Sequence, residues 1–194
     1  NLLVKAKRRD DLVGHQVLFP ENYKHEFDDI FEHKRPPREP TLYVCAQGRA
    51  HGRTGWEEHE ALFVMANAPA VEDTPSADED THIEALAATM RRRLKDSGLI
   101  DPDDRVIWER VPRDLAERFW GSRGSIYGAA SHGWNAAFQR PRNRVDDVPG
   151  LYLASGTAHP GGGVPLCLQS GMTAADLVLE DLGFARAPTG AAAG

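Results

Sequence analysis

Three consecutive glycines, Gly161, Gly162 and Gly163, stand between His159-Pro160 and Val164-Pro165 near the end of this 194-residue chain. Glycine carries no Cβ, so such a loop can take positive φ and let a ligand approach its backbone. Pro165 suits the first position of a helix, where its absent N–H is not missed. Leu166, Leu168, Met172, Ala175, Leu177, Val178 and Leu179 then recur at helical spacing, and Gly183 offers a stop. A helix start presents unpaired N–H groups and partial positive charge, which favours phosphate or a reduced, anionic ring. Upstream, Leu151-Tyr-Leu-Ala is an apolar run bounded by Pro149-Gly150 and by Gly156. It predicts a short strand covered on both faces, as in a parallel sheet. Strand, loop and helix together read either as a ligand cradle or as a βα turn that only packs.

Other chemistries find less support. Eight histidines invite a metal search, but no H-E-x-x-H or Cys/His pair at zinc spacing occurs. His25 and His33 fall in or near a predicted short helix on a charged face, and His51 and His59 flank a loop. Ser170 lies in Leu-Gln-Ser-Gly-Met, which is not the G-x-S-x-G of a nucleophile elbow. Ser131 and His132 are sequence neighbours, which is no argument for a triad.

The residues also carry a resemblance. The run Phe138-Gln-Arg-Pro-Arg-Asn-Arg comes first, followed by Gly150-Leu-Tyr-Leu-Ala-Ser-Gly-Thr-Ala-His-Pro-Gly-Gly-Gly-Val-Pro and Ser170-Gly-Met-Thr-Ala-Ala. Together they resemble the C-terminal signature of bacterial-type carotenoid desaturases, the phytoene dehydrogenase-like FAD oxidoreductases. Gly14-His-Gln-Val-Leu-Phe, Tyr23 to Phe31, Pro40-Thr-Leu-Tyr-Val-Cys, Glu60-Ala-Leu-Phe-Val-Met-Ala-Asn-Ala-Pro and Gly124-Ser-Ile-Tyr-Gly fall in that family's order. The wording around His159 looks closer to the branch acting on later acyclic or hydroxylated carotenoids.

The resemblance implies FAD as cofactor and an isoprenoid polyene as substrate, with hydride passing from the polyene to the flavin. It implies that Gly156, His159, Pro160, Gly161, Gly162, Gly163, Val164 and Pro165 lie at the cofactor. His159 would face a flavin edge or brace the loop. Arg140, in the family's Arg-Pro element, would place positive charge near flavin or substrate, or else pair with Asp146 or Asp147. Tyr127 and Phe138, with Trp120 and Trp134, would line an apolar channel or serve as ordinary core. No G-x-G-x-x-G occurs in the chain. On the resemblance, the chain is therefore expected to be the C-terminal portion of a larger protein, inactive by itself and partnered by a missing N-terminal FAD-binding portion. Two rival readings stay open: a non-catalytic binding remnant, and a related flavin oxidase or oxygenase acting on amines, porphyrinogens or carotenoid ends.

Composition fits that frame. Hydrophobic residues at 41% and charged residues at 27% describe a globular chain, and a formal charge of −6 argues against nucleic acid. Cys45 and Cys167 make no disulfide framework and read as small buried hydrophobes in a reducing compartment. No run approaches the length of a transmembrane helix. The polyene substrate implied by the resemblance dissolves in the membrane, so a cytoplasmic protein in peripheral contact with the membrane is expected.

Along the chain, strands are predicted over 14–19, 41–46, 61–66 and 105–111, as part of an antiparallel sheet. Asn22 caps a short helix, and a longer helix runs from Thr81 to Ser97 with Ile83, Leu86, Ala87, Met90 and Leu94 on one face. Residues 47–58 read as an exposed connection, 71–80 as an acidic loop, and Pro112 as the start of a helix. Lys5–Arg9 and Arg91-Arg-Arg read as short basic clusters, the second as a solvated helix face. The predicted class is α/β, an α+β fragment. It joins part of an antiparallel-sheet substrate lobe (1–135) to the closing strand–glycine loop–helix of a Rossmann-like FAD domain (136–184), with a disordered tail (185–194).

Overall fold

The computed structural model describes residues 1–52, 57–72, 78–125 and 140–184. Tyr127, Phe138, Trp134, Ser131, His132, the middle of the acidic loop and the tail lie outside the described residues. The chain forms two compact units, 1–125 and 126–194.

The first unit is a five-stranded antiparallel sheet in the order β2-β3-β4-β1-β5. The strands are β1 Leu2–Lys7, β2 His15–Leu18, β3 Leu42–Ala46, β4 His59–Ala66 and β5 Arg105–Glu109. The four predicted strands are present, with slightly shifted ends. The fifth, β1, escapes the basic-cluster reading of Lys5–Arg9. Its pattern is strict alternation: Leu2, Val4 and Ala6 are buried while Lys5 and Lys7 are exposed. A strand needs only every second residue to be apolar when one face is solvated, so lysines at the alternate positions do not oppose it.

One face of the sheet is closed. Leu2, Val4, Leu42, Val44, Leu62 and Val64 meet Leu86, Met90 and Leu94 from α3, Glu79–Asp96. Spacing of three and four residues puts those helix positions on one stripe. Burying each such side chain contributes about 1.5–3 kcal/mol. After the helix, Gly98 at φ +70° turns the chain away, and Leu99 donates its N–H back to the Leu94 carbonyl at 3.0 Å.

The arginines of α3 are not merely solvated. Arg91 pairs with Glu109 at 2.6 Å, and Arg93 donates to the carbonyls of Pro40 and Phe19. The long guanidinium arm reaches past the helix edge to loop carbonyls, which simple face counting does not foresee.

Smaller elements close the ends of the sheet. Asn22 caps α1, Tyr23–Phe27, by accepting the Lys24 N–H at 3.2 Å, and a π-helical turn, Asp28–Glu32, continues it. Asp29 is buried between Arg35 and Arg38. Burial pushes its carboxyl up, but the two guanidinium groups outweigh that and hold it below its ordinary value. The expected exposed connection at 47–58 opens instead with a short helix, α2, Gln47–His51. The buried Glu60 carboxylate accepts the Gly48 N–H at 2.6 Å, which holds the first turn of α2 against β4. Another helix, α4, runs from Pro112 to Arg118, with Asp114 accepting the Val111 N–H at 2.8 Å.

The second unit carries α5, Val164–Asp181. Gly163 is its N-cap, so Val164 rather than Pro165 takes the first helical position. Gly183, at φ +80°, follows its end. The predicted strand at 151–154 is reduced to one antiparallel bridge, Tyr152 with Arg144. Flanking it, Val145 donates to the Leu151 carbonyl at 3.1 Å and Leu153 to the Asn143 carbonyl at 2.7 Å. Leu151 is exposed. Apolar runs of this length make buried strands only when neighbouring strands flank them, and here the pairing comes from 143–145 alone among the described residues. Among those residues, no helix is long and apolar enough to cross a membrane.

Candidate functional site

The glycine loop of the second unit is built around one buried amide. Asn143 Nδ2 lies 2.9 Å from the Leu153 carbonyl, 3.0 Å from the His159 carbonyl and 2.9 Å from Ser170 Oγ. Ser170 Oγ accepts the Ser155 N–H at 3.2 Å. Asn143 and Ser170 are both buried, so these bonds form away from competing water. Asn143 does not stand out in the sequence. Its only signal there is a polar residue in the Arg-Pro-Arg-Asn-Arg run. Ser170, a nucleophile by residue type alone, is fully buried and spent on this network.

The network sets the loop's shape. His159 is held through its backbone, its N–H donating to the Pro141 carbonyl at 2.9 Å and its carbonyl accepting from Asn143, while the residue as a whole stays exposed. Its peptide bond to Pro160 is cis. Gly161, at φ +140°, is buried, and a Cβ there would stand 3.4 Å from the Arg140 guanidinium. Arg140 itself donates to the Gly156 carbonyl at 3.1 Å. Asp146 is paired with Arg142 at 3.7 Å. At Gly156 a Cβ would come within 3.0 Å of Cys167 Sγ, so the residue is glycine because the first turn of α5 passes close by.

The accessible end of the loop is Gly163 and Val164. Gly163 has φ +104° and open space where a Cβ would stand, and Val164 is exposed. The first helical bond runs from Cys167 N–H to the Gly163 carbonyl at 2.8 Å. The N–H groups of Val164 and Leu166 therefore precede it and point out of the helix end. At this end the backbone can be approached and partial positive charge is fixed. The predicted cofactor residues thus divide: Gly163 and Val164 line the open helix start, while Gly161 and Gly156 are packed against Arg140 and Cys167.

The first unit offers a different surface. Strand register puts His15, Val17, Tyr43, Cys45, Phe63, Met65, Leu3 and Trp108 on the sheet face opposite α3. Val17 is 47% and Met65 41% exposed while Cys45 is buried, so among the described residues this apolar face is partly open. Lys5, Lys7 and Arg105 edge it. His15 Nδ1 and the Tyr43 hydroxyl meet at 2.8 Å among the apolar residues. A cavity of about 880 Å³ nearby is lined by Glu57, Glu58, Asp101, Asp103 and Lys7, a polar lining unsuited to a hydrocarbon. Trp120 is fully exposed. No group of three or more His, Cys, Asp and Glu among the described residues could hold a metal ion.

Comparison with known proteins shows what the chain is similar to. No family model matches the chain. Hydroxyneurosporene desaturase of Rubrivivax gelatinosus is 38% identical over 174 residues, which is 88% of this chain and 32% of that protein. The 1-hydroxycarotenoid 3,4-desaturase of a Flavobacterium species is 36% identical over 169 residues, 84% of this chain and 33% of that protein. The 4,4'-diaponeurosporene oxygenase of Staphylococcus haemolyticus is 27% identical over 175 residues, 89% of this chain and 34% of that protein. The chain spans about a third of the length of these curated relatives. Along nearly the whole of the present sequence, the chain is homologous to about a third of these carotenoid desaturases.

Proposed function

We propose that the chain works as part of an FAD-dependent oxidoreductase that desaturates an acyclic, hydroxylated carotenoid. The observation that carries this reading is the similarity to hydroxycarotenoid desaturases across 88% of the chain. Two structural features support it. The open start of α5 suits the cofactor, and the partly open sheet face suits a long hydrocarbon.

When bound, FAD would supply a two-electron acceptor for the hydride leaving one carbon of the polyene, and the hydrogen on the neighbouring carbon would leave as a proton to water. The remaining tasks fall to this chain's own residues. The N–H groups at Gly163, Val164 and Leu166 are already oriented, so they stabilise developing negative charge without reorganising. Val17, Phe63, Met65 and Leu3 displace water from an isoprenoid chain laid across the strands. Shape and length then discriminate more than hydrogen bonds do. A polyene dissolved in a bilayer is reached from the membrane surface, so we place the working protein in peripheral contact with the membrane.

The test is a visible spectrum of the complete native gene product in detergent, without oxygen, before and after adding an acyclic hydroxycarotenoid. The expected result is a bound-flavin band that bleaches while the carotenoid absorption moves to longer wavelength. A protein that stays flavin-free after reconstitution with FAD would overturn the reading in favour of a binding remnant. Bleaching with oxygen inserted into the product, once air is admitted, would favour the oxygenase branch.

A further inference from the structure

We propose that His15 and Tyr43 form the anchor for the terminal hydroxyl of the carotenoid, fixing which end of the chain lies over β2. The inference rests on the function proposed above and deepens it.

The partly open sheet face is built of apolar rows: Val17, Tyr43 and Met65 in one, Cys45, Phe63, Leu3 and Trp108 in the next. At one end of these rows lies a hydrogen-bonded polar pair, His15 Nδ1 to Tyr43 hydroxyl at 2.8 Å, with the rings stacked at 6.0 Å between centroids. The pair sits at one margin of the sheet, because β2 is an edge strand. Four strand spacings of about 4.8 Å separate β2 from β5, so the face runs about 19 Å away from this pair. An extended isoprenoid laid along the rows would have one end at the pair and its body on Phe63, Met65 and Leu3.

The chemistry matches a tertiary alcohol. Whichever tautomer His15 holds, one of the two groups has a bond to spare. If the phenol donates to His15, its oxygen still accepts the ligand's O–H. If His15 donates, the phenol oxygen keeps a second lone pair for the ligand's O–H, while the Tyr43 side chain also hydrogen-bonds Cys45. Burial, followed by the neighbouring Cys45, pushes the Tyr43 phenol up from its ordinary value, so the group is neutral at working pH. A ligand lacking the hydroxyl would cover the pair without satisfying it, and that lost bond is the basis for discrimination.

The test is binding, read from the visible absorption of the bound polyene with the complete native gene product. Two ligands are compared, an acyclic carotenoid with a terminal tertiary hydroxyl and the same carotenoid without it. The wild type should bind the hydroxylated form about tenfold more tightly, one net hydrogen bond's worth. Tyr43→Phe should abolish that preference while leaving the affinity for the hydrocarbon unchanged. His15→Leu, at an exposed position, should reduce the preference too, and it serves if Tyr43→Phe folds poorly. Met65→Ala should weaken both ligands equally. Equal affinity of the wild type for both ligands, or a preference that survives both variants, overturns the anchor and leaves the apolar wall standing. If Met65→Ala changes neither affinity, the face is not the polyene wall, and the anchor falls with it.

Discussion

The sheet unit and the loop–helix unit are held together by opposite means. In residues 1–125 the most deeply buried side chains are largely aliphatic: Leu2, Val4, Leu42, Leu62, Val64 and Leu94. In the described part of the second unit the buried positions include Asn143 and Ser170, while Val164, Leu168, Met172 and Leu182 are exposed. The first is stabilised by removing apolar surface from water, a non-directional effect that tolerates small shifts. The second depends on a few directional hydrogen bonds, which lose their value when geometry slips. The difference also bears on function. On the proposed function, a region that grips a flat cofactor would gain from a fixed backbone, whereas a region that holds a hydrocarbon would need only an apolar surface of the right extent.

Three experiments put this contrast at risk. The largest effect is expected in the sheet unit. Leu94→Ala removes a fully buried side chain beneath the sheet and should destabilise that unit by about 2–5 kcal/mol in urea unfolding. A change below about 1 kcal/mol would mean the face under α3 is not the main source of cohesion.

Next comes the polar centre of the second unit. Asn143→Ala leaves the carbonyls of Leu153 and His159 without the Asn143 donor, and leaves Ser170 Oγ with the Ser155 N–H, at a cost of about 1–3 kcal/mol. Hydrogen exchange should show it as lost protection at the amides of Leu153, Ser155, Ala158 and His159. Amides that keep their protection would show that the loop owes its shape to something other than this network.

The smallest effect concerns pH. At the far end of α5, Asp181 accepts from the Tyr152 hydroxyl and pairs with Arg144 at 2.6 Å. The Tyr152 hydrogen bond lowers its carboxyl, partial desolvation opposes, and Arg144 lowers it further, so the folded value lies below the ordinary one. A carboxylate with a depressed folded pKa contributes stability above the unfolded pKa and loses it as pH falls through the folded one. The latch should therefore hold from neutral pH down through the usual carboxylate range and open only below it. Because the group is exposed, the change should appear as fraying of the last turn of α5 by NMR, not as global unfolding. Loosening already near about pH 6, well above the ordinary carboxylate range, would argue against the latch.

Much of the fold could be read residue by residue. The stripe from Leu86 to Leu94, the Asn22 cap, the strands at Leu42 and Ala61 and the glycine stop at Gly183 all follow from local periodicity and backbone preference. Other features could not be seen that way. β1 was hidden because Lys5 and Lys7 share it with Val4 and Ala6, and only pairing with β4 and β5 shows which face is inside. The run at Leu151 has the composition of a buried strand yet finds a single bridge, since strand formation depends on neighbours as well as propensity. At the candidate site, the glycines and the helix start were legible, and the division among them was not. Gly161 is buried beside Arg140, which lies well upstream of the loop, and Gly163 is left open.

Local pattern and order along the chain were enough for the periodic elements, the position of the glycine loop and the resemblance to carotenoid desaturases. The folded arrangement was needed to show that Asn143 organises the loop, that one sheet face is partly open among the described residues, and that His15 meets Tyr43 on it. Those facts depend on contacts between residues far apart in sequence, and such contacts follow from strand register and helix placement, which no single segment encodes.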